Sequence, residues 1–216
     1  ATPFGLCHFV LPPARTEKSQ GPEETHNRLK ALTIRTMDGG RCIGVLGGGQ
    51  LGRMLSEAAS RLNVPIRFLD VGEHSPAKQL VSVPASMPGP QHVDGSFVDK
   101  AKIRELAKQV DILTVEIEHV DADQLQAVLD EGLVQAVHPA PSTVRLIQDK
   151  YLQKKHLMQH NIPVVESVAI DAGSDMIANV QQVAQQFGLP LMLKSRTEAY
   201  DGRGNFVLTS IDQVHT

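Results

Sequence analysis

The sequence predicts an α/β fold in which a parallel β-sheet is covered by helices on both faces. Short apolar runs alternate with amphipathic stretches between about residues 41 and 140, and this order of elements produces parallel sheets. The first apolar run is followed directly by a glycine-rich turn and then by apolar residues at helical spacing. With 216 residues, a formal net charge of −3 and 41% hydrophobic residues, the composition is that of an ordinary globular protein with one large or two small domains.

The first region contains four predicted strands and three predicted helices. The strands are 42–46, 65–69, 111–115 and 133–137, and the helices are 53–62, 101–109 and 122–129. Between them, residues 73–93 are rich in Pro and Ser, which predicts a loop with one short strand near 80–83.

A second region begins near residue 141. Its predicted elements are two short helices within 141–159, a strand at 166–170, a helix at 175–187 and a strand–loop–strand unit with strands at 189–193 and 206–208. The two short helices meet near Asp149, and Ser174 suits the cap of the following helix.

Residues 1–36 differ from the rest because they show no helical or strand periodicity. Met37 precedes the first strong strand, so we expect 1–36 to be a disordered extension or upstream sequence. The predicted organisation is therefore an extension over 1–36, a parallel-sheet domain over 37–140 and the start of a second, incomplete domain over 141–216.

The composition argues against several classes of function. There is no basic excess, and the aromatic residues, with no Trp and two Tyr, are too few to stack on nucleic acid bases. No run approaches the ~18 apolar residues that a membrane span needs. Cys7 and Cys42 form no C-x-x-C pair, which favours reduced thiols in a cytoplasmic protein, and the nine histidines show no metal-ligand spacing.

The turn from Gly47 to Gly52 has the G-x-G-x-x-G pattern between a predicted strand and a predicted helix. Glycines permit close backbone approach, and helix N-terminal amides favour an anion. Asp70, at the end of the next strand, completes a dinucleotide fingerprint. The pattern predicts an anionic ligand, NAD or another phosphorylated molecule, and the structural alternative is a turn required only for packing.

Glu116 and Glu118 follow the predicted strand 111–115, at the edge where open α/β sheets bind ligands. Two carboxylates beside the glycine turn could hold the amine or hydroxyl groups of a sugar phosphate. In the alternative interpretation Glu118 is solvated and only one of the two contacts substrate. We assign His119 a structural role.

Lys194 ends an apolar strand and precedes a loop that closes with Asp-Gly-Arg-Gly at 201–204. Two strands joined by a glycine loop, with a lysine on the incoming strand, suit a nucleoside triphosphate, because amides and a compact cation contact phosphate oxygens. Lys150 is the second cationic candidate, although a single lysine on a helix is usually exposed.

Four motifs occur in the order and at the separations found in one known family. They are VLGGGQLGRM at 45–54, TVEIEH at 114–119, LIQDK at 146–150 and LKSRTEAYDGRGN at 193–205. From about residue 37 onward the chain resembles the N-terminal part of the ATP-grasp carboxyaminoimidazole ribonucleotide synthetases of purine biosynthesis, and it is nearest to their fungal branch, the phosphoribosylaminoimidazole carboxylases. The resemblance implies a Rossmann-like pre-ATP-grasp domain followed by the beginning of an ATP-grasp domain, truncated.

Members of this family use ATP to activate bicarbonate as carboxyphosphate and then carboxylate the exocyclic amine of aminoimidazole ribonucleotide. By resemblance, the residues that contact the ribonucleotide would be Gly49, Gln50, Leu51, Glu116 and Glu118. The residues that contact ATP would be Lys150, Lys194, Ala199, Tyr200, Asp201, Gly202, Arg203, Gly204 and Asn205. Lys194 would be catalytic, and 199–205 would form a lid over the phosphates.

The resemblance also implies that the Mg²⁺ ligands of the family lie beyond Thr216, with no metal site within this chain. The chain alone would then have little or no ligase activity, and relatives suggest a homo-oligomer at full length. Ala199 and Asn205 stand where bacterial members usually have Gly and Gln, which fits the fungal branch.

Two other functions stay open. An NAD(P)-dependent oxidoreductase would explain the glycine turn and Asp70, but it leaves the loop after Lys194 without a function. A non-catalytic module that binds a ribonucleotide without turnover is the third interpretation.

Overall fold

The computed structural model describes residues 41–81, 89, 91–170, 176–198 and 204–215. The strands of its first region are β1 (Ile43–Leu46), β2 (Ile66–Asp70), β3 (Val93–Asp94), β4 (Ile112–Val115) and β5 (Ala136–His138). The helices between them are α1 (Gln50–Arg61), α2 (Pro76–Leu80), α3 (Lys100–Ala107) and α4 (Ala122–Asp130). The five strands form one parallel sheet in the order β3-β2-β1-β4-β5, which confirms the predicted fold class.

Apolar layers cover both faces of this sheet, because successive side chains of a strand point to opposite sides. Leu46 is fully buried in the larger layer, together with Leu106 of α3. Val45, one residue earlier, lies in the smaller layer with Ala59 of α1 and Ala77 of α2. The sheet is therefore the central layer between two sets of helices.

The register of the central strands brings their carboxyl ends to one edge. Leu46, the last residue of β1, pairs with Leu69 of β2 and Val115 of β4. The glycine turn that begins at Gly47 and the acidic turn that begins at Glu116 consequently lie side by side at this edge.

Several predictions for this region are wrong. Strand β5 begins at Ala136 rather than at residue 133, and β3 begins at Val93, the end of the stretch 73–93 expected to be a loop with a strand near 80–83. Helix α1 begins at Gln50 rather than at residue 53, and a Cβ atom at Gly52 in its first turn would lie 3.2 Å from Cβ of Ala77 and 3.2 Å from Cε1 of Phe68. Residues 76–80, expected to be loop with a strand near 80–83, form α2 instead. Pro76 has the backbone geometry that suits a first helical turn. Residues 82–88 lie outside the described part of the chain.

The second region contains α5 (Pro141–Gln148), α6 (Lys150–Gln159), α7 (Met176–Phe187), β6 (Leu191–Lys194), β7 (Asn205–Leu208) and a 3-10 helix (Ile211–His215). Strands β6 and β7 form an antiparallel hairpin, and α5 and α6 meet at Asp149 as predicted. The predicted strand at 166–170 is wrong, because among the described residues no strand pairs with it. Lys154 of α6 contacts this part of the chain instead, and its Nζ donates to Ser167 Oγ at 2.9 Å.

Some predictions concern residues that the structure does not describe. The extension over 1–36, the start at Met37 and the cap at Ser174 lie outside the described residues. Within the described part, no helix combines the length and the apolar character that crossing a membrane requires.

Candidate functional site

The glycine turn after β1 surrounds the carboxylate of Glu116, which follows β4. The backbone N–H groups of Leu51 and Gly52 both donate to Glu116 Oε1, at 3.1 and 3.3 Å. N–H groups in the first turn of a helix have no partner within the helix, and a negative charge there also interacts favourably with the helix dipole. Glu116 therefore holds the position at the start of α1 that a phosphate occupies in dinucleotide-binding folds.

This contact explains why two positions of the turn are glycine. Gly47 has φ +96°, and a Cβ atom there would lie 2.6 Å from Glu116 Oε2. A Cβ atom at Gly49 would lie 2.9 Å from Glu116 Oε1. Both distances are far shorter than van der Waals contact, so the carboxylate of Glu116 fills the space that side chains at these positions would need.

Asp70, the acidic residue of the dinucleotide fingerprint, also binds the protein itself. Its Oδ2 accepts the N–H of Gly48 at 2.8 Å, and its Oδ1 accepts the N–H of Val71 at 2.8 Å. Lys78 Nζ donates to the carbonyl oxygens of Asp70 and Gly72, at 2.6 and 3.1 Å. Burial lowers the pKa of Lys78, and the carboxylates around it oppose that shift.

The turn that carries Glu118 is held through its backbone. The carbonyl oxygen of Glu118 accepts Nε2–H of Gln148 at 2.7 Å and the N–H of Val120 at 2.8 Å. Gln148 Nε2 also donates to the carbonyl oxygen of Val120, at 2.8 Å. The Glu118 side chain is 35% exposed, and its Oε1 lies 3.7 Å from Nε2 of His119.

Asp149, the residue after Gln148, joins α6 to the loop that follows β6. Its Oδ1 accepts the N–H groups of Tyr151 and Leu152, at 2.9 and 3.0 Å, as the N-cap of α6. Its Oδ2 accepts Nη2–H of Arg196 at 2.6 Å, and Oδ1 accepts Nε–H of Arg196 at 3.4 Å. The hydrogen bond from Arg196 lowers the pKa of Asp149, and the two backbone N–H groups act in the same direction.

The same loop links the two lysines predicted to bind ATP. The backbone N–H of Lys150 donates to the carbonyl oxygen of Arg196 at 3.0 Å, and Arg196 lies two residues after Lys194. The N–H of Ser195 donates to the carbonyl oxygen of Gly204 at 2.8 Å and closes the base of the predicted lid. The Lys194 side chain is exposed, and that of Lys150 is half-buried.

The other predicted site residues that the structure describes lie at the start of α1 and at the start of β7. Gly49 is the N-cap of α1, and Gln50 and Leu51 are exposed in its first turn. Asn205 begins β7 and pairs with Lys194. The lid residues Ala199, Tyr200, Asp201, Gly202 and Arg203 lie outside the described residues.

Sequence reasoning missed two residues that organise this region, Gln148 and Arg196. Gln148 lies in the motif at 146–150 and Arg196 in the motif at 193–205, but neither motif shows the role of these side chains, because each acts on a partner far away in the sequence. Asp149 carried a readable signal, since an aspartate before a helical run is a common N-cap. Among the residues that the structure describes, no group of three or more His, Cys, Asp or Glu side chains could hold a metal ion.

Comparison with known proteins identifies both regions. Residues 41–148 match the ribonucleotide synthetase pre-ATP-grasp domain, and residues 155–216 match the ATP-grasp domain. The phosphoribosylaminoimidazole carboxylase of Candida albicans is 50% identical over 168 residues, which are 78% of this chain and 28% of that protein.

Two solved structures from Aspergillus clavatus are also similar. One, a carboxyaminoimidazole ribonucleotide synthase complexed with ATP, has 45% identity and a TM-score of 0.70, over 82% of this chain and 43% of that one. The other, in complex with ADP and aminoimidazole ribonucleotide, has 42% identity and a TM-score of 0.70, over 82% and 42%. The chain thus spans less than a third of the curated relative and less than half of either solved protein.

Proposed function

Because this chain belongs to the ATP-grasp carboxyaminoimidazole ribonucleotide synthetase family, we propose that it supplies part of the active site of an enzyme of purine biosynthesis. The reaction is the ATP-dependent carboxylation of aminoimidazole ribonucleotide with bicarbonate. One observation supports this most directly: the α5–α6 junction, residues 148–150, contacts both the turn after Glu116 and the loop after Lys194. Two ligands bound at these places would lie on either side of one junction.

We propose that the ribonucleotide is held at the carboxyl edge of the sheet. The residues proposed to contact it are Gly49, Gln50, Leu51, Glu116 and Glu118. A carboxylate accepts hydrogen bonds, so this edge suits the amine and hydroxyl groups of the ribonucleotide better than its phosphate. The contacts of Leu51 and Gly52 with Glu116 support this orientation, because those N–H groups already donate to a carboxylate.

ATP is proposed to bind beside the β6–β7 hairpin and to supply the phosphoryl group that activates bicarbonate. Lys150 and Lys194 would contact its phosphates, with Lys194 as the catalytic cation and 199–205 as the lid. Cations and backbone amides stabilise the charge that develops in phosphoryl transfer, and a closed lid excludes water. The exposed ammonium of Lys194 beside a glycine-containing loop fits a polyanionic ligand.

The proposal extends to features of the whole enzyme. It includes a division into domains at 37–140 and 141–216, Mg²⁺ as a second cofactor beside ATP, a homo-oligomeric assembly and a cytoplasmic location. The dinucleotide alternative is disfavoured for two reasons. Glu116 already accepts the N–H groups that a pyrophosphate would be expected to engage, and the Asp70 carboxylate, which would accept the ribose hydroxyls, already accepts the Gly48 N–H.

The catalytic part of the proposal is tested by Lys194→Ala in the full-length protein. Bicarbonate-dependent ATP turnover should fall by about 10²–10³-fold, because one preorganised charge is lost from the transition state. Lys155→Ala, at an exposed position on α6, is the matched control and should keep turnover within about twofold. Near-normal turnover of Lys194→Ala would remove Lys194 from the catalytic site.

The binding part is tested by calorimetric titration of the chain with aminoimidazole ribonucleotide and, separately, with NADH. Saturable binding of the ribonucleotide, weakened by Glu116→Ala, is the expected result. Saturable binding of NADH without a response to the ribonucleotide would overturn the proposal in favour of an oxidoreductase. Ribonucleotide binding by a full-length protein that lacks ATP turnover would favour a non-catalytic module.

A further inference from the structure

We propose that residues 148–150 couple the ribonucleotide turn to the base of the ATP lid, with Gln148 and Arg196 as positioning residues on opposite sides. The ribonucleotide turn is here residues 116–120, and the lid base is residues 194–198. The inference rests on the proposed function for its two ligands. The contacts that carry it are hydrogen bonds between residues of the protein itself.

On the ribonucleotide side, both hydrogens of the Gln148 side-chain amide go to one turn. They are donated to the carbonyl oxygens of Glu118 and Val120, at 2.7 and 2.8 Å, and the N–H of Val120 donates to Glu118 across the same turn. Glu116, whose carboxylate is bound to α1, is the first residue of this turn. A shift of the turn must therefore move Gln148 or break both of its hydrogen bonds.

On the ATP side, two contacts of opposite direction join the junction to Arg196. The Arg196 guanidinium donates to the Asp149 carboxylate at 2.6 and 3.4 Å, and the Arg196 carbonyl oxygen accepts the Lys150 N–H at 3.0 Å. The guanidinium also lies over the ring of Tyr151, with Cζ 5.4 Å from the ring centroid. The position of Arg196 fixes where the chain leaves β6, immediately after Lys194.

The junction is short and the backbone N–H groups that follow it are hydrogen-bonded, which suits it to transmit a displacement. Only Asp149 separates Gln148 from Lys150. The first three N–H groups of α6 all have acceptors: the Arg196 carbonyl for Lys150 and the Asp149 carboxylate for the next two residues. A contiguous set of hydrogen bonds thus runs from the turn to the lid base, and any coupling through it must act equally in both directions.

The coupling is tested first without ligand, by hydrogen–deuterium exchange on the full chain. Gln148→Ala removes two hydrogen bonds, each of which is worth about fivefold at typical net strength. It should therefore speed exchange in 116–120 by up to about 30-fold, and in 194–198 by about fivefold or more. Arg196→Ala should do the same in the reverse direction. Gln159→Ala, at the exposed end of α6, is the matched control and should change neither segment.

An increase confined to the segment next to each substitution would overturn the coupling. The Arg196 arm keeps the test decisive if Gln148→Ala fails to fold, since Arg196 is 43% exposed and its removal should leave the fold intact.

A second arm adds aminoimidazole ribonucleotide. In the wild type it should protect 47–52 and 116–120, as the proposed function requires, and also 194–198, as the coupling requires. Gln148→Ala should keep the first protection and lose the second. Protection of the ribonucleotide turn alone in the wild type would overturn the coupling and leave the function standing. Protection of no segment would count against the function for this chain, and the ligand-free arm would still decide the coupling.

Discussion

Replacing Glu116 by alanine is expected to destabilise the protein by about 2–3 kcal/mol, even without ligand. The substitution removes the acceptor of the Leu51 and Gly52 N–H groups at the start of α1. Leu51 is 58% exposed, so water can replace the carboxylate there. Gly52 is buried, and its N–H loses its partner without access to solvent.

The magnitude follows from these two unequal donors. Leaving a buried N–H without an acceptor costs about 1–3 kcal/mol, and losing a negative charge at a helix N-terminus adds about 0.3–1 kcal/mol. For a chain of this size, 1 kcal/mol corresponds to about 2–4 °C in the midpoint of thermal unfolding. The expected shift for Glu116→Ala is therefore about 4–12 °C.

The assay is thermal and urea unfolding followed by circular dichroism, with two companion variants. Glu116→Gln keeps an oxygen acceptor but removes the charge, so it should lose about 1 kcal/mol. Glu118→Ala removes a carboxylate with no such backbone partners and should cost less than about 0.5 kcal/mol. If Glu116→Ala unfolds at the same temperature as Glu118→Ala, the carboxylate does not hold the glycine turn and the reasoning is refuted.

Two further predictions concern pH. The ring of His92 accepts the Phe68 N–H and donates to the Val81 carbonyl, and burial lowers the pKa of His92. The neutral ring therefore stabilises the folded state fully above the ordinary pKa of 6.5. This stabilisation is lost as the pH falls through the lower folded-state pKa. His92→Gln, which can make both hydrogen bonds without titrating, should lose less thermal stability than wild type between pH 8 and pH 5. Arg196 lowers the pKa of Asp149, so the stabilisation by this carboxylate is complete above the ordinary value of 3.8 and is lost as the pH falls through the lower folded-state value. Arg196→Ala should cost less than about 1 kcal/mol at neutral pH and should bring acid unfolding to a higher pH.

Matched variants separate the effects of His92 and Asp149 from those of an exposed histidine and of a change in net charge. His74→Gln, at an exposed position, should leave the wild-type pH dependence unchanged, and an equal flattening would contradict the assignment to His92. Arg145→Ala breaks an exposed ion pair with Asp123 that caps no helix, so its acid unfolding should remain at the wild-type pH. An equal acid shift in that variant would show that net charge, rather than the contact with Asp149, is responsible.

Local sequence signals predicted the helices and strands that depend on nearby residues or on regular pairing within the sheet. The alternation of apolar runs and helical spacing located the parallel sheet, and the apolar residues of β1 and β4 predicted buried strands. The errors occurred where contacts with residues distant in the sequence determine the secondary structure. Residues 76–80 form a helix beside the glycine turn, where the Ala77 N–H donates to the carbonyl oxygen of Gly48. Residues 166–170 have no strand partner among the described residues.

The fold class, the family resemblance and the chemical types of the site could all be predicted without a structure, because strand and helix periodicity, glycine spacing and the order of four motifs are properties of the chain. The partner of the glycine turn, in contrast, is visible only in the folded protein. Glu116 is 64 residues from Gly52, so a linear pattern cannot show that its carboxylate takes the place of a phosphate. The junction at Asp149 is of the same kind, since its partner Arg196 is 47 residues away and the contact exists only after folding.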